Sequence, residues 1–138
     1  MLQKIDADII TNTLELVVER VGDPTPQVYE RLFKAQPEME PMFVMDTNGA
    51  ARGHMLSEAL DGIIDFVGGR HYADNMIRSE IVNHEGLGVP RDVFESFFSN
   101  IRDTFQDILK DDWTSDMDKA WTALLEELRT TISEVAPI

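Results

Sequence analysis

Apolar residues recur at intervals of three and four along almost the whole chain, and no run of five or more alternating positions rich in Val, Ile or Tyr interrupts them. That period predicts amphipathic helices and no sheet, so the fold class is all-α. Ile5, Ile9, Leu16 and Val17 mark a first helical face that ends near Gly22. The stretch "DPTP" then opens a second helix, with Asp23 or Thr25 as its N-cap, because either side chain offers an oxygen to a free backbone N–H. This second helix carries Val28, Tyr29, Leu32 and Phe33.

Pro37 and Pro41 in "QPEMEPMF" each remove a backbone donor and constrain the residue before them, so only a short helix fits there and the chain turns a corner. "DTNG", residues 46 to 49, reads as a turn. After it, Met55, Leu56, Ala59, Leu60, Ile63, Ile64 and Val67 form the stripe of a longer helix that ends at Gly68 and Gly69. Residues 73 to 84 predict a shorter helix with Ile77, Ile81 and His84 on one face, closed by Gly86 and Gly88. Pro90 suits a first helical turn, and Val93, Phe94, Phe97, Ile101, Phe105 and Ile108 continue the pattern to about residue 110. Thr114 or Ser115, followed by Asp116 and Asp118, signals one more N-terminus, from which Met117, Ala120, Trp121, Leu124, Leu128 and Ile132 run. Six or seven helices in one domain spanning 1–138 is the expected architecture.

Composition narrows the function classes. The 26 acidic against 12 basic residues give a formal charge of −14, which disfavours nucleic acid and anionic membrane surfaces as partners. A protein partner would present a basic face. With no cysteine, disulfides, zinc-thiolate sites and thiol nucleophiles are excluded. Asp6, Asp8, Glu15 and Glu19 run through the apolar positions of the N-terminus, where a secretory signal or membrane span would not tolerate them, so a cytoplasmic location is expected.

Several chemistries need residues this chain lacks. A carboxylate-bridged di-iron bundle requires two Glu-x-x-His pairs, and none is present. "DTNGAARGHMLS" fails as a calcium loop at its sixth position, Ala51, and its twelfth, Ser57. The three histidines, His54, His71 and His84, fall on separate segments without an HExxH motif, which argues against zinc hydrolysis. No Gly-x-Ser-x-Gly turn is present, and "GGRHY" follows a helix rather than a strand, so neither a serine hydrolase nor a phosphate loop is expected. There remains one imidazole on an apolar helix face. A single neutral imidazole is what haem iron needs from a protein, since the macrocycle supplies four nitrogens. Spacing alone leaves two readings of His84, an axial ligand or a half-buried residue that closes its helix.

In "VYERLFKAQPEMEPMF" (28 to 43), "NHEGLGVPRDVFESF" (83 to 97) and "DDWTSDMDKAW" (111 to 121) the chain resembles bacterial single-domain haemoglobins and the globin domain of flavohaemoglobins, over about residues 5 to 132. The resemblance implies a globin fold around a haem b pocket. His84 would be the proximal iron ligand, Phe43 the aromatic against the haem at the corner, and Tyr29 a distal tyrosine. Arg52 would stand at the distal gate, Leu56 over the iron, and Phe94 near the proximal side. A diatomic gas on ferrous iron carries partial negative charge, which a Tyr29 hydroxyl or an Arg52 guanidinium would stabilise by hydrogen bonding. Arg52 could equally stay wet or pair with a haem propionate. Phe97 and Phe98 need no cofactor to account for them, and His54 and His71 are expected at the surface.

Two positions depart from the family pattern. Glu80 stands one turn before His84 where an aliphatic residue is the rule, and Arg52 replaces the glutamine of many relatives. The implied function is reversible binding of dioxygen or nitric oxide, for oxygen storage and delivery or for nitric oxide detoxification. Because the chain ends at Ile138, any turnover would draw electrons from a separate reductase. The competing expectation is a haem-free globin-fold module for interaction or signalling, motivated by Glu80 and by stripes that suffice as core.

Overall fold

The structure is a computed structural model in which residues 5–135 are described. Six α-helices follow one another: α1 (Ala7–Val21), α2 (Thr25–Ala35), α3 (Ala50–Val67), α4 (Ala73–Gly86), α5 (Arg91–Leu109) and α6 (Ser115–Ser133). A 3₁₀ helix over Pro37–Phe43 joins α2 to α3, and a shorter one over Lys110–Asp112 joins α5 to α6. No strand occurs among the described residues, as the periodicity predicts. None of the described helices is long and apolar enough to cross a membrane.

Side-chain oxygens start several of these helices. Asp6 accepts from the N–H groups of Asp8 and Ile9 at 3.1 and 3.2 Å. Helix α2 differs from expectation: its N-cap is Pro24, which offers no side-chain acceptor, and neither Asp23 nor Thr25 holds that position, although Asp23 just outside the helix accepts the N–H and the hydroxyl of Thr25, its first residue, at 2.9 and 2.6 Å. Thr114 accepts from Met117 N–H at 3.1 Å and heads α6. Each bond satisfies a donor that the helix cannot pair internally.

Two other helices also differ from expectation. The buried face of α1 is Ile10, Thr13, Leu14 and Val17, while Ile5, Ile9 and Leu16 pack at its edge. Both sets have helical spacing, and only contact with α3, α5 and α6 chooses between them. Helix α3 begins at Ala50, a full turn before its apolar stripe, because the "DTNG" turn is a cap. Asn48 Oδ1 accepts Ala50 N–H at 3.0 Å, and the Asp46 carboxylate accepts the N–H groups of Ala51 and Arg52, both at 3.0 Å.

Helix α5 packs against α1, α2, α4 and α6 and forms the spine of the core. Phe105 meets the edge of Trp121 with ring centroids 5.8 Å apart and planes at 88°, a favourable aromatic geometry. Helices α3 and α4 approach closely at Gly62, where a Cβ would stand 2.4 Å from Met76 Cε, so this position requires a residue without a side chain or a displaced methionine. Beyond α3, Arg70 turns the corner with φ 54° and ties it to α6, donating to Glu127 at 3.1 Å and Thr131 at 3.2 Å.

Trp121 is fully buried, and its indole Nε1 has no hydrogen-bond partner. Trp121→Ala is therefore expected to lower the unfolding free energy by about 3–5 kcal/mol through loss of burial and the cavity left behind. Trp121→Phe, which sacrifices no hydrogen bond, should cost clearly less. Urea unfolding of both variants measures the difference.

Candidate functional site

A cavity of about 370 Å³ opens between α2, the first 3₁₀ helix, α3, α4 and α5. Its wall is mostly apolar, with Leu32, Phe43, Val93 and Phe97 among the lining residues. Four methionines, Met39, Met42, Met55 and Met76, join them. Their unbranched side chains adapt to irregular occupants better than Leu or Ile. The polar groups in the wall are few: Tyr29, Glu58, Glu80, Asn83 and His84.

His84 lies in the last turn of α4. Its Nδ1 is 2.7 Å from the carbonyl oxygen of Glu80, which can only accept, so Nδ1 carries the proton. The other ring nitrogen, Nε2, is then the one with a free lone pair, and it has no protein hydrogen-bond partner among the described residues. Phe94 holds the ring edge-on with centroids 5.1 Å apart. This is how proteins present an imidazole as a ligand, with one nitrogen tied to a fixed acceptor and the other offered.

Tyr29 is held by three aromatic neighbours, Phe33, Phe43 and Phe97, at centroid distances of 5.8, 5.4 and 5.7 Å. Its hydroxyl is buried without a partner. Burial pushes its pKa far above the ordinary tyrosine value, with Arg52's charge opposing the shift and Asp46's reinforcing it, so the group remains a neutral donor. An orphaned buried hydroxyl costs about 1–3 kcal/mol, which an acceptor inside the cavity would recover.

Arg52 is engaged elsewhere. Its Nε donates to Asp46 Oδ2 at 2.9 Å and its guanidinium to the Asp46 carbonyl at 3.0 Å. Burial alone would raise the Asp46 carboxyl. The N–H groups of Ala51 and Arg52, together with the guanidinium, outweigh burial and hold its pKa below the ordinary value. Arg52 is absent from the cavity wall.

The architecture and this imidazole-bearing apolar cavity agree with the comparison to protein families, in which the family model described as Globin matches residues 26–132. The chain belongs to the globin family. No curated protein and no solved structure matches it. The matched span takes in almost all of α2 through α6, so every element that lines the cavity of this globin lies within it.

Of the residues singled out in the sequence, His84, Tyr29, Phe43 and Phe94 are brought together around this one cavity. Leu56 is not among them. It is 2 % exposed and faces the core with Ile63 and Phe66, while Met55 and Ala59 of the same helix line the cavity. One residue along a helix rotates the side chain by about 100°, enough to exchange the cavity face for the core face. Arg52 stays on Asp46 rather than reaching the cavity, and His54 and His71 are exposed.

Sequence reasoning missed two carboxylates that set the site. One is Asp46, read only as part of a turn. The other is Asp65 near the end of α3, which accepts the N–H groups of His71, Tyr72 and Ala73 at 3.0, 2.9 and 2.8 Å and so caps α4, the helix that carries His84. The available signal was an Asp a few residues before a Gly-Gly break and a new helix.

Burial would raise the Asp65 carboxyl, but the N–H groups of Tyr72, His71 and Ala73 overcome this and hold its pKa below the ordinary value. A folded-state pKa below the unfolded one contributes stability above the unfolded value of about 3.9, lost as pH falls through the folded value. The wild type is expected to lose urea resistance as pH drops below about 4. Asp65→Asn, which keeps an acceptor oxygen but no charge, should be weaker near neutrality and flatter through that acid range. Urea midpoints across pH compare the two.

Proposed function

We propose that this globin binds haem b in the cavity between α2, α3, α4 and α5 and through it reversibly binds a diatomic gas, dioxygen or nitric oxide, with His84 as the axial ligand. Haem-based gas binding is the general property of the family to which the chain belongs. The observation that carries the reading here is the state of His84: Nδ1 is committed to the Glu80 carbonyl, which leaves the Nε2 lone pair available in an apolar cavity. One imidazole is the protein ligand that haem iron requires.

Bound haem would supply an iron centre able to take a diatomic gas. The chain's own residues supply the rest. His84 offers Nε2, and the Glu80 carbonyl fixes its tautomer. Phe94 restrains the imidazole edge-on, and Phe43 with Met39 and Met55 would help to keep water from the bound group by making its surroundings apolar. Tyr29 brings a neutral, otherwise unpartnered hydroxyl that could donate to a gas carrying partial negative charge. Arg52 is held by Asp46 and acts on the pocket through its charge rather than through a direct hydrogen bond. Reduction by a separate donor keeps such a globin in its gas-binding state, and oxygen delivery and nitric oxide removal are the two roles compatible with it.

Protein produced with haem precursor should show a stoichiometric Soret band that shifts with carbon monoxide after reduction. His84→Ala should lose that band or the shift. Tyr29→Phe should retain both and release dioxygen roughly 3- to 10-fold faster, the effect of one net hydrogen bond. Folded wild type that takes up no haem would instead support the haem-free interaction module.

A further inference from the structure

Glu80 belongs neither to the core nor to the ordinary solvated surface. It stands on α4 one turn before His84, and its carboxylate Oε2 lies 3.6 Å from the same His84 Nδ1 that its own backbone carbonyl receives at 2.7 Å. The side chain is 35 % exposed and forms part of the cavity wall. Among the described residues no Lys or Arg pairs with it. The neighbouring acid Glu85 differs in this respect, since Arg91 neutralises it at 2.6 Å. Glu80 therefore brings an uncompensated negative charge to the back of the imidazole.

We propose that Glu80 is a positioning residue that gives the axial imidazole anionic character and biases the bound iron toward its ferric form. This rests on the haem-binding reading of the cavity above. The Nδ1 proton is already donated to the carbonyl, and 3.6 Å exceeds hydrogen-bond length, so the carboxylate acts through its charge. Donation from Nε2 to a metal draws electron density from the ring and leaves positive charge near Nδ1–H. A carboxylate beside that hydrogen stabilises this charge and makes Nε2 the stronger donor, as outer partners of metal-bound histidines do. Ferric iron draws more density than ferrous iron and gains more. Water at the exposed part of the side chain screens the effect without abolishing it.

Glu80→Gln removes the charge while keeping the length of the side chain, the helix and the backbone carbonyl. In the haem-loaded protein its expected effect is an approximately tenfold fall in the ferric-to-ferrous ratio at a fixed poise, about 59 mV for a one-electron couple. The iron–histidine stretch of the reduced protein should move to lower frequency in its resonance Raman spectrum. Glu80→Asp, which restores the charge one methylene further back, should recover part of both shifts. Glu58→Gln serves as control, since Glu58 also lines the cavity but belongs to α3 and pairs with His54 at 3.1 Å.

Equal changes in ratio for Glu58→Gln and Glu80→Gln with an unmoved stretch would overturn the proposal in favour of a diffuse acidic field. A ratio within twofold of wild type in haem-loaded Glu80→Gln would overturn it as well. Failure of the wild type to take up haem would overturn it together with the functional reading, and circular dichroism of each variant confirms that the helices compared are the same.

Discussion

The cavity of this globin depends on where α4 begins. Asp65 gathers three consecutive N–H groups ahead of that helix, and in doing so fixes both its start and its rotation relative to α3. From this anchored end, Ile77 and Ile81 turn into the core and His84 arrives at the cavity one turn later. Arg91 holds the far end, bonding Glu85 on one side and the Val135 carbonyl on the other, at 2.6 Å each. A helix tied at both ends presents its imidazole at one height and one angle, which a ligand must do to bind a metal with defined geometry.

The same molecule treats its two apolar regions differently. The core around Trp121, Phe105, Ile101 and Leu124 is filled by rigid, fully buried side chains. The cavity is walled by methionines and by partly buried phenylalanines, residues that pack adequately but do not close the space. Its polar atoms are left in a matching state: the Tyr29 hydroxyl is buried and unpaired, and His84 Nε2 is unclaimed. Native interiors rarely leave a buried hydroxyl such as that of Tyr29 unsatisfied, and this one belongs to the wall of the cavity that His84 also lines.

The helices were legible because burial on one side imposes a 3.6-residue period that few other constraints mimic. His84 stood out because alternatives needing two or three ligands had no partners in the sequence. Glu80 stood out as an acid on an apolar face. Less was legible where two patterns compete. In α1, Ile5, Ile9 and Leu16 form as regular a set as Ile10, Leu14 and Val17, and in α3 Met55 and Leu56 differ by a single step of rotation. Asp46 and Asp65 were invisible for another reason. Their partners are backbone N–H groups five to eight residues ahead, brought near by the turn itself, and no side-chain pattern records them.

The acidic residues of the cavity wall also give the space an electrostatic sign. Glu58 and Glu80 are the carboxylates in that wall, which exposed Met42 and Leu87 also line. A neutral molecule approaches such a wall with no electrostatic penalty, whereas a small anion meets like charge. The chain as a whole, at −14, reinforces that bias. Charge of this sign disfavours anions whatever their shape, and dissolved salt weakens the effect by screening.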